Sequence, residues 1–377
     1  MIPSFCENPP VRPAALPRTR FGGLRRAAAL VLLLCAPMMA GAQQPRPSSA
    51  PPAAAAAPLR VVASFSILAD MVREIGGDDI RLDVLVGPMR DAHAFEPSPR
   101  DARALGEAQV LVVNGLGFES WMPRLLEASG FKGRTIVASR GVTPRRLNAE
   151  EAAAEAAEGH GGEAADAAHG DAGHDEHGDE EKHGQEAGHE HGHAHEAGAV
   201  DPHAWQDLRN GVQYAQNIAA GLAQADPAHG SAYFARADAY VRQLRQADAH
   251  WRRQLAAVPE DRRVLATSHD AFGYFGAAYG VRILSLVGIS SEAEPSARAM
   301  AALLDQIRTL HVRALFLEQG NSSRALQQLA DEAGVPMGGK LYADTLDRPG
   351  HDASTYLGMF RWNTRQLLQA FTGNSAG

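Results

Sequence analysis

From Leu59 onward the chain alternates short apolar runs with segments whose apolar residues recur at helical spacing. Strands that alternate with helices in this way pack as βα units and give a largely parallel sheet. The candidate strands are RVVASF from Arg60, RLDVLV from Arg81, QVLVVN from Gln109 and RTIVAS from Arg134. Helical patterns over residues 67–75, 99–107 and 120–129 separate them, and Ser98-Pro99 with Asp101 makes a good helix start. A second series opens with RRVLATS at Arg262, followed by RILSLV from Arg282, ALFLEQ from Ala314 and a short strand ending near Tyr342. Its helical patterns cover residues 272–279, 296–310, 323–333 and 354–370. Between the two series, residues 230–257 form one helical pattern with no proline or glycine after Gly230, roughly 40 Å of helix. The expected fold is α/β: two Rossmann-like lobes with mainly parallel sheets, joined by one long rigid helix.

The amino terminus carries an export signal. Arg18, Arg20, Arg25 and Arg26 precede an apolar run over residues 27–36, and Ala40-Gly41-Ala42 offers a cleavage site before Gln43. That run is too short to span a bilayer comfortably. The segments expected are a signal peptide (1–42), a disordered Pro/Ala-rich tether (43–58), a first metal-binding lobe (59–229), the linking helix (230–258) and a second metal-binding lobe (259–377). The only cysteines, Cys6 and Cys35, precede the expected mature start, which excludes a disulfide or thiolate site from the mature chain. Leu34 before Cys35 is a poor fit to lipoprotein processing, so soluble export to a periplasm is expected over a lipid anchor.

Charge is unevenly spread. Residues 150–196 hold fifteen acidic residues against one basic, Lys182, a local balance of −14 in a chain whose total is −8. The remainder sums to about +6, much of it in the first 58 residues, so the folded body is near neutral and shows no basic stripe, which excludes nucleic-acid binding as an expectation. Residues 150–199 are rich in Ala, Gly, Glu and Asp, hold nine histidines (His160, His169, His174, His177, His183, His189, His191, His193 and His195) and have almost no large apolar residues. Such a segment cannot bury enough surface to fold alone, and is expected to be a disordered loop inserted in the first lobe. It is either a solvated tether or a weak collector of metal ions, with neighbouring imidazoles sharing an ion.

Four short segments place a metal-competent side chain near a strand end or helix start: His93 in DAHAFEPSP, His203 in VDPHAWQD, His269 in TSHDAFGYF and Asp344 in LYADTL. In open α/β sheets ligands bind beyond the carboxyl ends of the strands. Three imidazoles and a carboxylate would make a closed four-coordinate shell suited to zinc, which favours binding over catalysis. Taken singly, each histidine is as well explained as a solvated loop residue, and Asp344 as a turn or cap. The spacings form no local metal signature.

The same segments, DAHAFEPSP, DPHAWQD, SHDAFGYF and YADTL in that order, resemble the metal-binding landmarks of the periplasmic zinc/manganese solute-binding protein family of ABC transporters. The resemblance continues through PAHGSAYFARADAYVRQL, GISSEAEPSARAM and TYLGMFRWN, and covers nearly the whole expected mature chain except the His-rich insert. It implies two lobes bridged by a rigid helix, with one metal ion between them. His93 and His203 would be ligands from the first lobe, His269 and Asp344 from the second. Manganese-type relatives often carry a carboxylate where this chain has His269, and the insert resembles zinc-type members. Zinc is therefore the expected cargo, with manganese or iron as the alternative. The implied partners are a membrane permease with its cytoplasmic ATPase, and a metal chaperone; the chain itself is expected to be a monomer and no enzyme. Glu96 is a candidate to touch a ligand from behind. A zinc hydrolase using Glu96 or Asp270 as base, and an adhesin with a structural metal, are the rival readings.

Overall fold

The computed structural model describes residues 57–147, 199–286, 297–319 and 324–373. The signal peptide, all but the end of the tether, both cysteines, the nine insert histidines and most of GISSEAEPSARAM lie outside the described residues. The described chain falls into one compact unit. Among its residues, no helix is long and apolar enough to cross a membrane.

The first sheet has four parallel strands, β1 (Leu59–Phe65), β2 (Ile80–Val86), β3 (Val110–Val113) and β4 (Arg134–Val137), in the order β2-β1-β3-β4. Val61 pairs with Leu82 on one side and Val110 on the other, so β1 is interior and nearly all of its residues are buried. Helices α1 (Ser66–Gly76), α2 (Pro99–Glu107) and α3 (Met122–Ser129) provide the crossovers. At the start of α2 the Asp101 carboxylate accepts the Ser98 N–H at 2.8 Å, closing a capping box.

Helix α4 (Leu208–Ala225) starts at Asp207, whose carboxylate accepts the Arg209 N–H at 2.9 Å. A tight turn leads into the long helix α5 (Gly230–Ala256). Its buried side chains, Tyr233, Ala237, Tyr240, Val241, Leu244, Trp251 and Leu255, fall at helical spacing along one stripe. That stripe rests on α1 and α4 at one end and on the second lobe's helices at the other.

The second lobe holds β5 (Val264–Thr267) and β6 (Arg282–Ser285), parallel in register Val264 to Arg282. Its helices are α6 (Gly273–Tyr279), α7 (Ala297–Thr309), α8 (Arg324–Ala333) and α9 (Tyr356–Thr372). The strands expected at 314–319 and near 342 are reduced to single parallel bridges, Ala266 to Leu315, Leu315 to Met337 and Glu318 to Leu341. The physical reason is local. Pro336 has no N–H to continue a ladder, and Gly338-Gly339 follows with no side chains to pack. The core does not divide at the expected lobe boundary: one apolar cluster runs from Leu59 to Phe371, and a smaller one fills the far side of the second lobe around Leu303, Leu315 and Leu329.

Asp70 of α1 is 4% exposed, and its carboxylate accepts the Tyr356 N–H of α9 at 2.8 Å, tying the two lobes. Burial pushes this carboxyl up to about 6; the Tyr356 bond and Arg73 oppose the rise and Glu74 adds to it. The folded state thus binds the Asp70 proton more tightly than the unfolded chain does. That contribution to stability is complete below about pH 4 and is lost as pH rises through about 6. Asp70→Asn keeps the acceptor and removes the ionisation. In urea unfolding of the metal-free protein, its stability relative to the parent should be lowest at pH 4 and rise by roughly 1–3 kcal/mol by pH 7. A difference that stays flat with pH would show that the Asp70 carboxyl does not titrate in this range.

Candidate metal centre

His93, His203, His269 and Asp344 converge, their ligand atoms all lying within 4.8 Å of one another. Two of the four come from segments past the end of a strand, β2 for His93 and β5 for His269. His93 sits in the loop after β2, where Asp91 accepts the His93 N–H at 2.8 Å and Trp121 Nε1 donates to Ala92 O at 2.9 Å. His203 precedes a short 3-10 turn, Ala204–Gln206. The buried Asn114, just past β3, donates to Pro202 O at 2.9 Å and accepts the Tyr214 hydroxyl at 2.6 Å, so the first sheet sets the height of the His203 loop. His269 follows β5 directly, and Asp344 follows the bridge at Leu341.

The Asp344 segment belongs to the second lobe yet is bonded to the first. Trp205 Nε1 and Gln206 Nε2 both donate to Ala343 O, at 2.9 and 2.8 Å. Met89 N donates to Thr345 Oγ1 at 2.8 Å and to Leu346 O at 3.1 Å, and Leu346 N donates to Ser66 Oγ at 3.0 Å. Phe65, Phe118 and Trp205 pack ring to ring beneath the histidines, with centroids 4.8–5.0 Å apart, and exclude water from that side.

Four donor separations define the site. His93 Nε2 lies 3.2 Å from His203 Nε2 and 3.5 Å from Asp344 Oδ2. His203 Nε2 is 3.6 Å from Asp344 Oδ1, and His269 Nε2 is 2.9 Å from Asp344 Oδ2. Ligand atoms about 2.0–2.1 Å from a tetrahedral zinc are separated by roughly 3.3 Å, so these spacings fit such a shell. Asp344 Oδ1 is buried and has no hydrogen-bond partner among the described residues, as an atom waiting for a cation would be. Burial alone would push the Asp344 carboxyl up, but His203 and His269 beside it, with bonds from His269 and His93, hold it well below the usual range. Burial would lower the His269 imidazole, yet Glu318 and Asp344 outweigh it and raise it well above the ordinary value.

Two carboxylates back the imidazoles. Asp201 Oδ1 accepts from His203 Nδ1 at 2.9 Å and from His203 N at 2.9 Å, while its Oδ2 pairs with Arg145 Nη1 at 3.0 Å. Glu318 Oε2 closes on His269 Nδ1 as an ion pair, and its Oε1 accepts from Ser268 Oγ at 2.9 Å and His269 N at 3.1 Å. An ionised carboxylate only accepts, so each places the ring proton on Nδ1 and turns the Nε2 lone pair into the site. Glu96, the residue expected in such a role, does not take it: it is exposed and lines a surface groove with Pro97, Ser98 and Arg124. Asp270 is buried but lies outside the four-residue cluster. Asp201, two residues before His203 in VDPHAWQD, was open to detection as a carboxylate able to bend back on that ring. Glu318 gave no such signal, because it closes an apolar strand pattern.

Residues 61–370 match the family described as zinc-uptake complex component A, periplasmic. The manganese ABC transporter substrate-binding lipoprotein PsaA of Streptococcus pneumoniae is 27% identical over 317 residues, 82% of this chain and 88% of the relative. The iron ABC transporter substrate-binding lipoprotein MtsA of Streptococcus pyogenes serotype M1 is 28% identical, also over 317 residues, 82% of this chain and 88% of the relative. Among solved structures, the periplasmic zinc binding protein TroA from Treponema pallidum superposes with a TM-score of 0.68 at 27% identity, covering 84% of this chain and 99% of that one.

The support behind His203 is testable from its neighbour Gly273. A Cβ there would meet Arg145 Nη1 and stand 2.7 Å from Asp201 Oδ2, so the pair that holds His203 would have to shift. Gly273→Ala should weaken divalent-metal binding by about tenfold, the scale seen when a carboxylate behind a ligating imidazole is disturbed. The readout is competition against a chelator, with a thermal melt to show that folding remains cooperative; unchanged affinity would mean that Asp201 does not orient His203.

Proposed function

Because this chain belongs to the family of zinc-uptake complex component A, substrate-binding proteins of metal ABC transporters, we propose that it captures zinc between its two lobes and delivers it to a membrane permease served by a cytoplasmic ATPase. His93, His203, His269 and Asp344 are the ligands in this reading. The observation that carries it is the convergence of three imidazole nitrogens and one carboxylate at near-tetrahedral separations, two of the rings held from behind by carboxylates. Imidazole suits zinc, whereas manganese prefers oxygen. All four ligands come from the protein, which favours holding an ion over activating a water.

The relatives named for manganese and for iron favour a second reading, capture of one of those ions at the same four residues. The zinc-binding structural neighbour and the nitrogen-rich shell favour zinc. The proposed segment plan is a leader (1–42), a tether (43–58), a first lobe (59–229), a linking helix (230–258) and a second lobe (259–377). Export follows from the leader. The poor fit of Leu34 before Cys35 argues for release after Ala42, while the lipoprotein names of the relatives argue equally for an acyl anchor at Cys35. Soluble release therefore loses the preference that the sequence alone gave it. The insert at 150–199 is proposed as a set of weak collecting sites for metal, carried by His160, His169, His174, His177, His183, His189, His191, His193 and His195.

Titrating the mature chain with zinc and with manganese against a competing chelator tests both readings. One equivalent of zinc should bind tightly, manganese far more weakly, and His269→Ala should abolish the tight site. Tighter manganese binding would assign the site to that ion. Deleting residues 151–196 should remove only the weaker equivalents; loss of the tight one would place the insert in the primary site.

Acid should also release the ion, with a sign fixed by the chemistry. Metal needs neutral imidazoles, and Glu318 and Asp344 hold the proton on His269 of the metal-free protein to a raised pH. Zinc binding therefore expels protons, and affinity should fall steadily from pH 8 to pH 5. A flat profile would count against imidazole ligands.

A further inference from the structure

The loaded site has to balance a divalent charge in a place closed to water, where an uncompensated ion is strongly disfavoured. Among the four ligands only Asp344 is anionic. Asp201 adds no net charge, because Arg145 lies 3.0 Å from its outer oxygen. Glu318 is a buried carboxylate in direct contact with a ligand ring: it is 2% exposed, meets His269 Nδ1, and no lysine or arginine pairs with it among the described residues. The parallel bridge from Glu318 to Leu341 places it on the strand that pairs with the Asp344 segment. Glu318 and Asp344 therefore flank His269 on opposite edges of its ring, at Nδ1 and Nε2.

We propose that Glu318 is a positioning residue of the metal site that supplies the second negative charge from behind His269. The inference rests on the reading of His93, His203, His269 and Asp344 as the ligands. The site then has the donor atoms of a three-nitrogen shell and the charge of a two-carboxylate shell. A carboxylate on Nδ1 makes Nε2 a more basic donor, which strengthens the bond to a borderline ion such as zinc more than to the harder manganese. Glu318 thus contributes to affinity for either dication through its charge and to discrimination through the ring.

Glu318→Gln tests this in the mature chain, beside Glu318→Asp and Ser268→Ala. Zinc and manganese affinities are read by chelator competition, and cobalt(II) visible absorption reports the coordination shell. Expected for Glu318→Gln is a loss in zinc affinity of roughly 10–100-fold, a smaller ratio of zinc to manganese affinity, an altered cobalt spectrum and a melt still cooperative. Glu318→Asp keeps the charge but draws it back from Nδ1, so it should recover part of the affinity while still shifting the spectrum. Ser268→Ala removes one hydroxyl donor to Glu318 but leaves its charge and its contact with Nδ1, so it should cost less than Glu318→Gln. Wild-type affinity and spectrum in Glu318→Gln would overturn the proposal, as would a loss in Ser268→Ala equal to that in Glu318→Gln. If Glu318→Gln fails to fold, Glu318→Asp decides, and a spectrum and affinity identical to the parent's overturn the proposal. A parent chain that binds neither ion in one tight equivalent would instead sink the ligand assignment itself.

Discussion

The centre exists because the segment carrying Asp344 is bonded into the opposite lobe. Ala343 O receives two donors from the Trp205-Gln206 turn, and Thr345 and Leu346 are met by Met89 and Ser66. These bonds are formed by backbone groups that would otherwise be buried without partners, so they are hard to lose one at a time. They fix Asp344 between His93 and His203 of one lobe and His269 of its own. The long helix and the shared apolar core then act as a brace: a stripe from Tyr233 to Leu255 touches both halves, so neither lobe moves without disturbing buried aromatic packing.

Much of this was legible in the sequence because strand ends announce themselves. Apolar runs closed by polar residues located β1 to β6 closely, and the four metal-competent side chains stood at the ends of such runs or at a helix start. The long helix could be read from the absence of proline and glycine after Gly230. The strands at 314–319 and near 342 were over-read, since an apolar pattern says nothing about whether a partner such as Pro336 can complete the ladder. Glu96 is near His93 in sequence but not in use: it is exposed and lines a surface groove. Glu318 is the opposite case, 49 residues from His269 in sequence yet against its ring in space. A carboxylate at the end of a strand resembles a solvated terminus, and only the folded position of His269 gives Glu318 another use.

The two backing carboxylates are not equivalent, and the difference bears on metal choice. Asp201 is neutralised by Arg145, so what it gives His203 is direction. Glu318 has no such counter-ion among the described residues, so it gives His269 both direction and charge. A shell that looks nitrogen-rich by its ligand atoms is therefore less far in electrostatics from the carboxylate-bearing shells expected of manganese-type proteins. Counting ligand types overstates the contrast between the zinc reading and the manganese and iron names of the relatives.

The four side chains of the proposed site are unequally restrained. His203 and His269 are almost wholly buried and each is held at Nδ1 by a carboxylate, and Asp344 is fixed by the bonds on either side of it. His93 differs on each count. Its side chain keeps 10% exposure, no carboxylate backs its ring among the described residues, and its loop departs from regular structure at Met89, where φ is 63°. What restrains the ring is the edge of Phe118, 4.7 Å away between centroids, and the Asp91 turn below it. Opening the lobes would break the whole set of bonds around Ala343 to Leu346, and moving the His93 loop would break the two of them that Met89 donates, together with the Trp121 bond to Ala92 O. Of the four side chains in the proposed site, His93 is thus the one whose ring has the fewest restraints.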